Sequence, residues 1–141
     1  MVGIERRGSG GPWEDTYGYA RVVTAGGFAF VSGCTATVDG SVVGVGDAAG
    51  QARTAIGIAL DALADVGIPA ERVVRTRMYL VRRPRRLPMF ASRKWTDDAD
   101  AVGRVHGEFF GSARPAASLV VVAGLLHPDH LFEIEMVAFA G

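Results

Sequence analysis

The end of the chain carries the pattern that most restricts its fold, two apolar β-type runs on either side of a turn. The first run lies near Ala117–Ala123 and the second near Leu131–Phe139. In the second run Glu133 and Glu135 are two residues apart, so a strand would place both carboxylates on one face. Carboxylates on an otherwise apolar strand are costly unless they are solvated, paired with cations or used in chemistry. The second run is therefore the first candidate for a functional site.

The first half of the chain predicts a hairpin followed by a long helix. Tyr19–Thr24 and Phe28–Ser32 have the composition of strands, and the glycine-containing turn between them predicts a hairpin. Asp47 is suited to be the N-cap of a helix over Ala48–Val66, and Gly67 is its expected stop. The expected apolar face of this helix consists of Ile56, Leu60, Leu63 and Val66, with Ala52, Ala55 and Ala59 beside them.

The second half predicts one more strand and one more helix before the two final strands. Arg72–Val81 alternates apolar and charged residues, as a strand with one solvated face does. Arg82–Thr96 fits no period and contains two prolines, so we expect a loop or an insertion there. Asp97 or Asp98 is expected to cap a second helix that runs to Gly111.

The order of these elements indicates an α+β fold, with both helices on one face of a mixed sheet. The 141 residues, 1–141, are expected to form a single domain. A sheet covered on one side leaves an apolar face exposed, and 49% of the residues are hydrophobic. No run reaches the roughly 18–20 apolar residues that a membrane-spanning helix needs. We therefore expect a homo-oligomer that buries this face, and no membrane partner.

The remaining composition predicts a cytoplasmic protein that uses neither a metal nor another cofactor. Cys34 is the single cysteine, which excludes an intrachain disulfide and favours a small packed thiol over a nucleophile. The three histidines, His106, His127 and His130, lack the spacing of metal ligands. The last two flank a turn, where we expect them to be exposed. The N-terminus has no hydrophobic signal core.

Seven short motifs follow one another along the chain from about Tyr17 to Ala140. In order they are G-Y-A-R-V-V, V-S-G, D-G-S-V-V-G, V-V-R-T-R-M-Y-L, H-G-E-F-F, R-P-A and F-E-I-E-M-V-A. In this order and at this spacing they resemble the RidA (YjgF) family of small trimeric proteins, many of which hydrolyse reactive enamines and imines. The resemblance implies a chorismate-mutase-like fold, a homotrimer, and small-molecule clefts at the three subunit interfaces.

The resemblance assigns site roles to individual residues. Glu133 matches a glutamate thought to position water or move a proton, Tyr19 matches a tyrosine at the cleft, and Ser32 matches the serine of an S-G turn. Two family positions differ in this chain. The arginine that holds the substrate carboxylate is replaced by Ala117, and an asparagine of the second helix is replaced by Gly103.

The replacement at Ala117 bears on the substrate. A guanidinium binds a carboxylate through two parallel hydrogen bonds, and alanine offers neither of them. The sequence therefore disfavours imines of amino acids such as 2-aminoacrylate and favours a neutral or larger substrate. Arg104 or His106 on the second helix could approach from a neighbouring subunit, although a structural role is the alternative for His106.

Three functions remain open from the sequence. The first is a trimeric enzyme that acts on an imine, an enamine or a related carbonyl compound. The second is a trimer that binds a small metabolite without turnover. The third and weakest is RNA binding or cleavage, because some family members have been described as ribonucleases.

The RNA alternative depends on the basic segment Arg82–Lys94, where Phe90 and the nearby Trp95 could stack on bases. The net charge of the chain is zero, so it produces no overall attraction for nucleic acid. The segment is also interrupted by prolines and followed by acidic residues, which favours a solvated insertion. Nucleic acid is therefore not an expected partner.

Overall fold

The structure is a computed structural model that describes residues 3–83 and 95–141, without the side chain of Trp95. Its strands are β1 (Glu5–Arg7), β2 (Val22–Ala25), β3 (Phe28–Thr35), β4 (Thr37–Val38), β5 (Ser41–Val42), β6 (Val73–Val81), β7 (Ala116–Val122) and β8 (Phe132–Phe139). Six of them form one sheet in the order β1-β2-β3-β8-β6-β7, while β4 and β5 form a separate hairpin. In the large sheet β6 and β7 run parallel and the other neighbours run antiparallel, so the sheet is mixed.

Helices cover one face of this sheet. The covering helices are α2 (Ala48–Ala64) and α3 (Trp95–Phe110), while the short helix α1 (Pro12–Tyr17) precedes β2 and contributes no residue to the core. The buried side chains of α2 and α3 join those of the strands in one hydrophobic core. The expected α+β architecture, with two helices on one face of a mixed sheet, is therefore confirmed.

Small side chains determine how α2 lies on the sheet. The Asp47 side chain accepts a 2.9 Å hydrogen bond from the backbone N–H of Gly50, so the expected N-cap is confirmed. The completely buried apolar residues of this helix are Ala52, Ala55, Ile56, Ala59 and Leu63. Leu60 is only partly buried, although it was expected on the central face. Because an alanine ends at Cβ, the alanine stripe can pack closely against the strands, and the bulkier leucine lies at the side.

Three local features differ from the sequence-based expectation. The N-terminal segment contains β1 and α1, where only a turn was expected. Strand β3 continues to Thr35 instead of ending at Ser32. The second long helix begins at Trp95, which places Asp97 and Asp98 in its first turn and not at its N-cap. Acidic side chains are favourable at both places because the helix N-terminus carries a partial positive charge, so the acids alone did not fix the start.

The opposite face of the sheet is not covered by any helix of the described residues. On this open face, Phe28, Phe30 and Phe139 keep 40%, 46% and 43% of their surface exposed. Phe28 and Phe139 contact each other edge to face, with ring centroids 5.8 Å apart. A contiguous apolar patch of this kind is rare on a monomer and is typical of a surface that another molecule covers.

A buried glutamine connects the start of α2 to two loops. Gln51 is 0% exposed, and its Nε2 donates to the carbonyls of Gly44 at 3.2 Å and Asp129 at 2.8 Å. Its Oε1 accepts a 2.7 Å hydrogen bond from the backbone N–H of Leu131, directly before β8. One side chain therefore satisfies three backbone groups and holds the segment that leads into the acidic strand.

We expect Gln51→Leu to lower the free energy of unfolding by roughly 3 kcal/mol, because it leaves these backbone groups without partners. Urea denaturation measures this change. Arg53→Gln, on the exposed side of the same helix, serves as the control and should leave the stability almost unchanged. A Gln51→Leu protein as stable as the wild type would contradict this role.

Candidate functional site

The two acidic residues of β8 lie on the open face of the sheet, as the sequence predicts. Phe132, Ile134 and Met136 are buried under the helices, and the intervening Glu133 and Glu135 point the other way and are half-buried. This alternation follows from the period of two of a β-strand. The polar part of the strand is therefore directed at the surface that no helix covers.

Glu135 is paired. Its carboxylate lies 3.3 Å from Nη1 of Arg77 on β6 and accepts a 3.3 Å hydrogen bond from the hydroxyl of Tyr79. Arg77 is also its cross-strand neighbour in the sheet register. Of the ways in which a carboxylate on this strand can be accommodated, Glu135 uses pairing with a cation.

Glu133 is in a different environment. Its cross-strand neighbours are Thr35 and Tyr79, and no basic side chain of residues 3–83 or 95–141 forms an ion pair with it. Burial raises the pKa of the Glu133 carboxyl, the charge of Glu135 raises it further, and the charge of Arg21 partly opposes this. A carboxyl with a raised pKa on a surface of this kind is a candidate for proton transfer.

A β-bulge in the neighbouring strand makes room for Glu133. The pairing of β3 with β8 shifts register between Val31 and Cys34. Gly33 lies in the bulge, and a Cβ at this position would collide with the Glu133 carboxylate, with 3.0 Å to its Cδ. A side chain at this position would displace the Glu133 carboxylate from the backbone of the bulge, so glycine is what allows this contact.

Contacts of Ser32, Arg21 and Tyr19 surround the bulge on which Glu133 packs. Ser32 donates from Oγ to the carbonyl of Ala20 at 2.6 Å, so its hydroxyl binds the chain that leads from Tyr19 into β2. Arg21 joins this group by donating from Nη1 to the carbonyl of Gly33 at 2.8 Å. Its guanidinium carbon lies 5.9 Å from the centroid of the Tyr19 ring.

Cys34 borders the same bulge but is buried. Burial raises the pKa of its thiol, with a smaller contribution from Glu133 in the same direction, while Arg21 opposes the rise. Its Sγ donates toward the carbonyl of Ser32 at 3.3 Å. A thiol that is hard to ionise is a poor nucleophile, so the structure agrees with the expected packed cysteine.

Three other residues of the predicted site, Ala117, His106 and Gly103, lie away from Glu133 in the structure. Ala117 is exposed on the edge strand β7, beside Thr76 of β6 in the parallel register. Thr76 is buried on the helix side of the sheet, and its Oγ1 is 2.8 Å from Nε2 of His106 on α3. Gly103 is exposed one turn before His106, with open space beside it. Within one chain these residues therefore lie on the opposite face from Glu133.

His106 has structural contacts that account for its position. Besides its hydrogen bond to Thr76, its ring packs against Phe110 with centroids 4.8 Å apart. Burial lowers the pKa of the imidazole, which favours its neutral form. A structural role, the alternative to a role in the site, accounts for all of these contacts of His106.

One histidine is placed differently from the expectation. His127 is exposed as expected, but His130 is 9% exposed and its Nε2 lies 2.8 Å from Oγ1 of Thr37. Burial lowers the pKa of His130, because the turn before β8 folds against the β4–β5 hairpin. The described residues contain no group of three His, Cys, Asp or Glu side chains that could hold a metal ion.

Sequence reasoning missed Arg21 as a member of this group. The available signal was a single arginine within the apolar run Y-A-R-V-V, because a charge inside an apolar strand segment needs a partner. Most of the basic segment Arg82–Lys94 lies outside the described residues, as does Phe90, so the RNA alternative stays a prediction. In the described part of the chain, no helix has the length and apolar character needed to cross a membrane.

Comparisons with known proteins agree on one family. The model of the family described as Endoribonuclease L-PSP matches residues 14–140. An uncharacterized protein of Streptomyces coelicolor is 38% identical over 138 residues, which cover 98% of this chain and 93% of that protein. The 3-aminoacrylate deaminase RutC of Acinetobacter baylyi is 32% identical over 121 residues, which cover 85% of each chain.

A crystal structure shows the same fold at similar identity. Rv2704 of Mycobacterium tuberculosis, described as a member of the YjgF/YER057c/UK114 family, superposes with a TM-score of 0.78 and is 32% identical. The match covers 97% of this chain and 99% of that one. Fold, sequence motifs and family model coincide, and the chain belongs to the YjgF/RidA family, whose family model is described as Endoribonuclease L-PSP.

Proposed function

We propose that the protein assembles as a homotrimer and hydrolyses a small imine or enamine, or a related carbonyl compound, at clefts between subunits, with Glu133 as the proton-transfer group. The observation that carries this proposal is the position of Glu133. It is half-buried on the uncovered face of the sheet, without an ion-pair partner among the described residues, and its pKa is raised.

The arrangement of the two groups of site residues supports a cleft shared between copies. Glu133 belongs to the open face, whereas Ala117 shares the helix side of the sheet with Thr76, on the edge strand. One chain cannot direct both at one ligand. A second copy packed on the exposed Phe28 and Phe30 would cover the open face, and its edge strand could complete the pocket.

The chemistry of the available side chains supports acid–base catalysis. A carboxyl whose pKa is raised toward neutral pH can both accept and return a proton. Cys34 is buried with a raised thiol pKa, so a covalent thiol intermediate has no support. The groups beside Glu133 are its cross-strand neighbours Thr35 and Tyr79 and the guanidinium of Arg21, whose charge acts on its carboxyl.

The proposed reaction consumes one water and releases ammonia. An enamine first gains a proton on carbon and loses one from nitrogen, and so becomes an imine. Glu133 accepts a proton from water as the water oxygen bonds to the imine carbon, and it passes that proton to the nitrogen, which gives a carbinolamine. Glu133 then takes the proton of the carbinolamine hydroxyl and passes it to the nitrogen as the carbon–nitrogen bond breaks, so that ammonia leaves, a carbonyl product remains and the carboxylate is restored.

The relative from Acinetobacter baylyi supports a substrate of this type, because its name describes deamination of 3-aminoacrylate. This chain departs from the family pattern in the alanine at position 117. We therefore propose an imine or enamine substrate without proposing 2-aminoacrylate itself.

We expect Glu133→Gln to lower kcat/KM on an imine or enamine substrate by roughly 10²- to 10⁴-fold, because the amide cannot accept the proton. Release of ammonia from a panel of imines and enamines measures the loss. Glu135→Gln, two residues away on the same face and paired with Arg77, should retain most of the activity. Circular dichroism and thermal unfolding verify that both variants fold. Equal turnover by wild type and Glu133→Gln would remove the catalytic proposal and leave the ligand-binding trimer.

The raised pKa of Glu133 predicts a pH profile. As a base it must be ionised, so kcat/KM should fall as pH falls through a midpoint above the ordinary pKa of a glutamate. In Glu135→Gln that midpoint should move to lower pH, because the charge of Glu135 is one cause of the rise. A midpoint that is identical in the two proteins would show that another group controls the profile.

A further inference from the structure

Arg21 is the cation closest to the proposed reaction centre. It lies directly before β2, and its Nη1 donates to the carbonyl of Gly33 at 2.8 Å and contacts Sγ of Cys34 at 3.2 Å. The same guanidinium lies 5.9 Å from the Tyr19 ring centroid, within cation–π distance. These contacts hold the end of a long side chain beside the bulge on which the Glu133 carboxylate packs.

Arg21 forms no ion pair with an acid of the described residues. Its charge does act on the buried Glu14, whose carboxyl pKa is lowered, against the effect of burial, by hydrogen bonds from Ser9 and by Arg21. Arg21 forms no ion pair with Glu133, although it is close enough to influence the pKa of that carboxyl. Glu135, the other acid of this face, is already paired with Arg77. In the part of the chain that the structure describes, only Nη1 of Arg21 is used in hydrogen bonds, so Nε and Nη2 remain as donors.

We propose that Arg21 binds an anionic group of the ligand, a carboxylate in the simplest case, beside Glu133. This inference rests on the proposed function and deepens it. The two remaining donors of the half-buried guanidinium, Nε and Nη2, match the two oxygens of a carboxylate. The hydrogen bonds from Nη1 hold the guanidinium in one orientation. The site then has an anion-binding group at position 21, although position 117 offers none.

The proposal changes the expected substrate class. An alanine at position 117 alone favours a neutral ligand, whereas Arg21 favours an imine or enamine acid and the 2-oxo acid that its hydrolysis yields. The anionic end would approach from the β2–β3 side of the open face, where Tyr19 contributes a ring. The alternative is that Arg21 only fastens the bulge through the Gly33 carbonyl.

Ligand binding separates these two roles without requiring turnover. Pyruvate, the simplest 2-oxo acid, and its neutral amide pyruvamide are titrated into the full chain, with calorimetry or NMR as the readout. We expect wild type to prefer pyruvate, and Arg21→Gln to weaken pyruvate binding roughly ten- to a hundred-fold while leaving pyruvamide unchanged. Arg53→Gln removes a charge on the helix side and should keep the preference.

Three results would overturn the proposal. They are equal affinity of wild type for the two ligands, no pyruvate binding, and equal losses for both ligands in a folded Arg21→Gln protein. The titration is repeated in Glu133→Gln, where the preference for pyruvate should persist although turnover is lost. An Arg21-dependent preference in a wild type that shows no turnover would leave this inference standing while the catalytic proposal fails.

Discussion

In residues 3–83 and 95–141, helices cover one face of the sheet and leave the other open, and the rest of the structure depends on this constraint. The buried face combines β-strand side chains with the alanine stripe of α2, which lets the helix pack closely. The other face keeps Phe28, Phe30 and Phe139 exposed, next to the acids of β8. Leaving that face in water is unfavourable, so the surface that favours contact with another molecule is also the surface that holds Glu133.

The bulge in β3 makes room on this surface for the carboxylate of the candidate site, Glu133. An uninterrupted strand would place a side chain where the Glu133 carboxylate now packs on Gly33. The Gly33 carbonyl of the bulge accepts a hydrogen bond from Arg21, which holds a guanidinium beside the same bulge. The carboxyl is thereby partly shielded from water, which raises its pKa, while a cation nearby remains available.

Patterns of period two and 3.6 were sufficient to predict most of the fold. The alternation around Glu133 and Glu135 identified the face of β8 correctly, because in a strand the face depends only on position parity. The start of α2 was predicted from Asp47, because a side-chain cap is a local interaction. The family resemblance directed attention to Glu133, Tyr19 and Ser32, and their shared role in one site stays a prediction.

Features that depend on contacts between distant segments could not be predicted from sequence periodicity. Arg21 acquires its position from a bulge twelve residues later in the chain, and a bulge leaves little trace in hydrophobic periodicity. The exposure of His130 was wrongly predicted because its partner, Thr37, is 93 residues away. The short helix α1 is too brief for a period to be read.

A crystal structure of the protein in its solution assembly tests the central claim most directly, because it shows which surface another copy covers. The account predicts three chains in which the phenylalanines of the open face are buried, with Glu133 of one copy and Ala117 of the next on opposite walls of one cleft. A monomer, or an assembly that leaves the Glu133 carboxylate in bulk solvent, would contradict it.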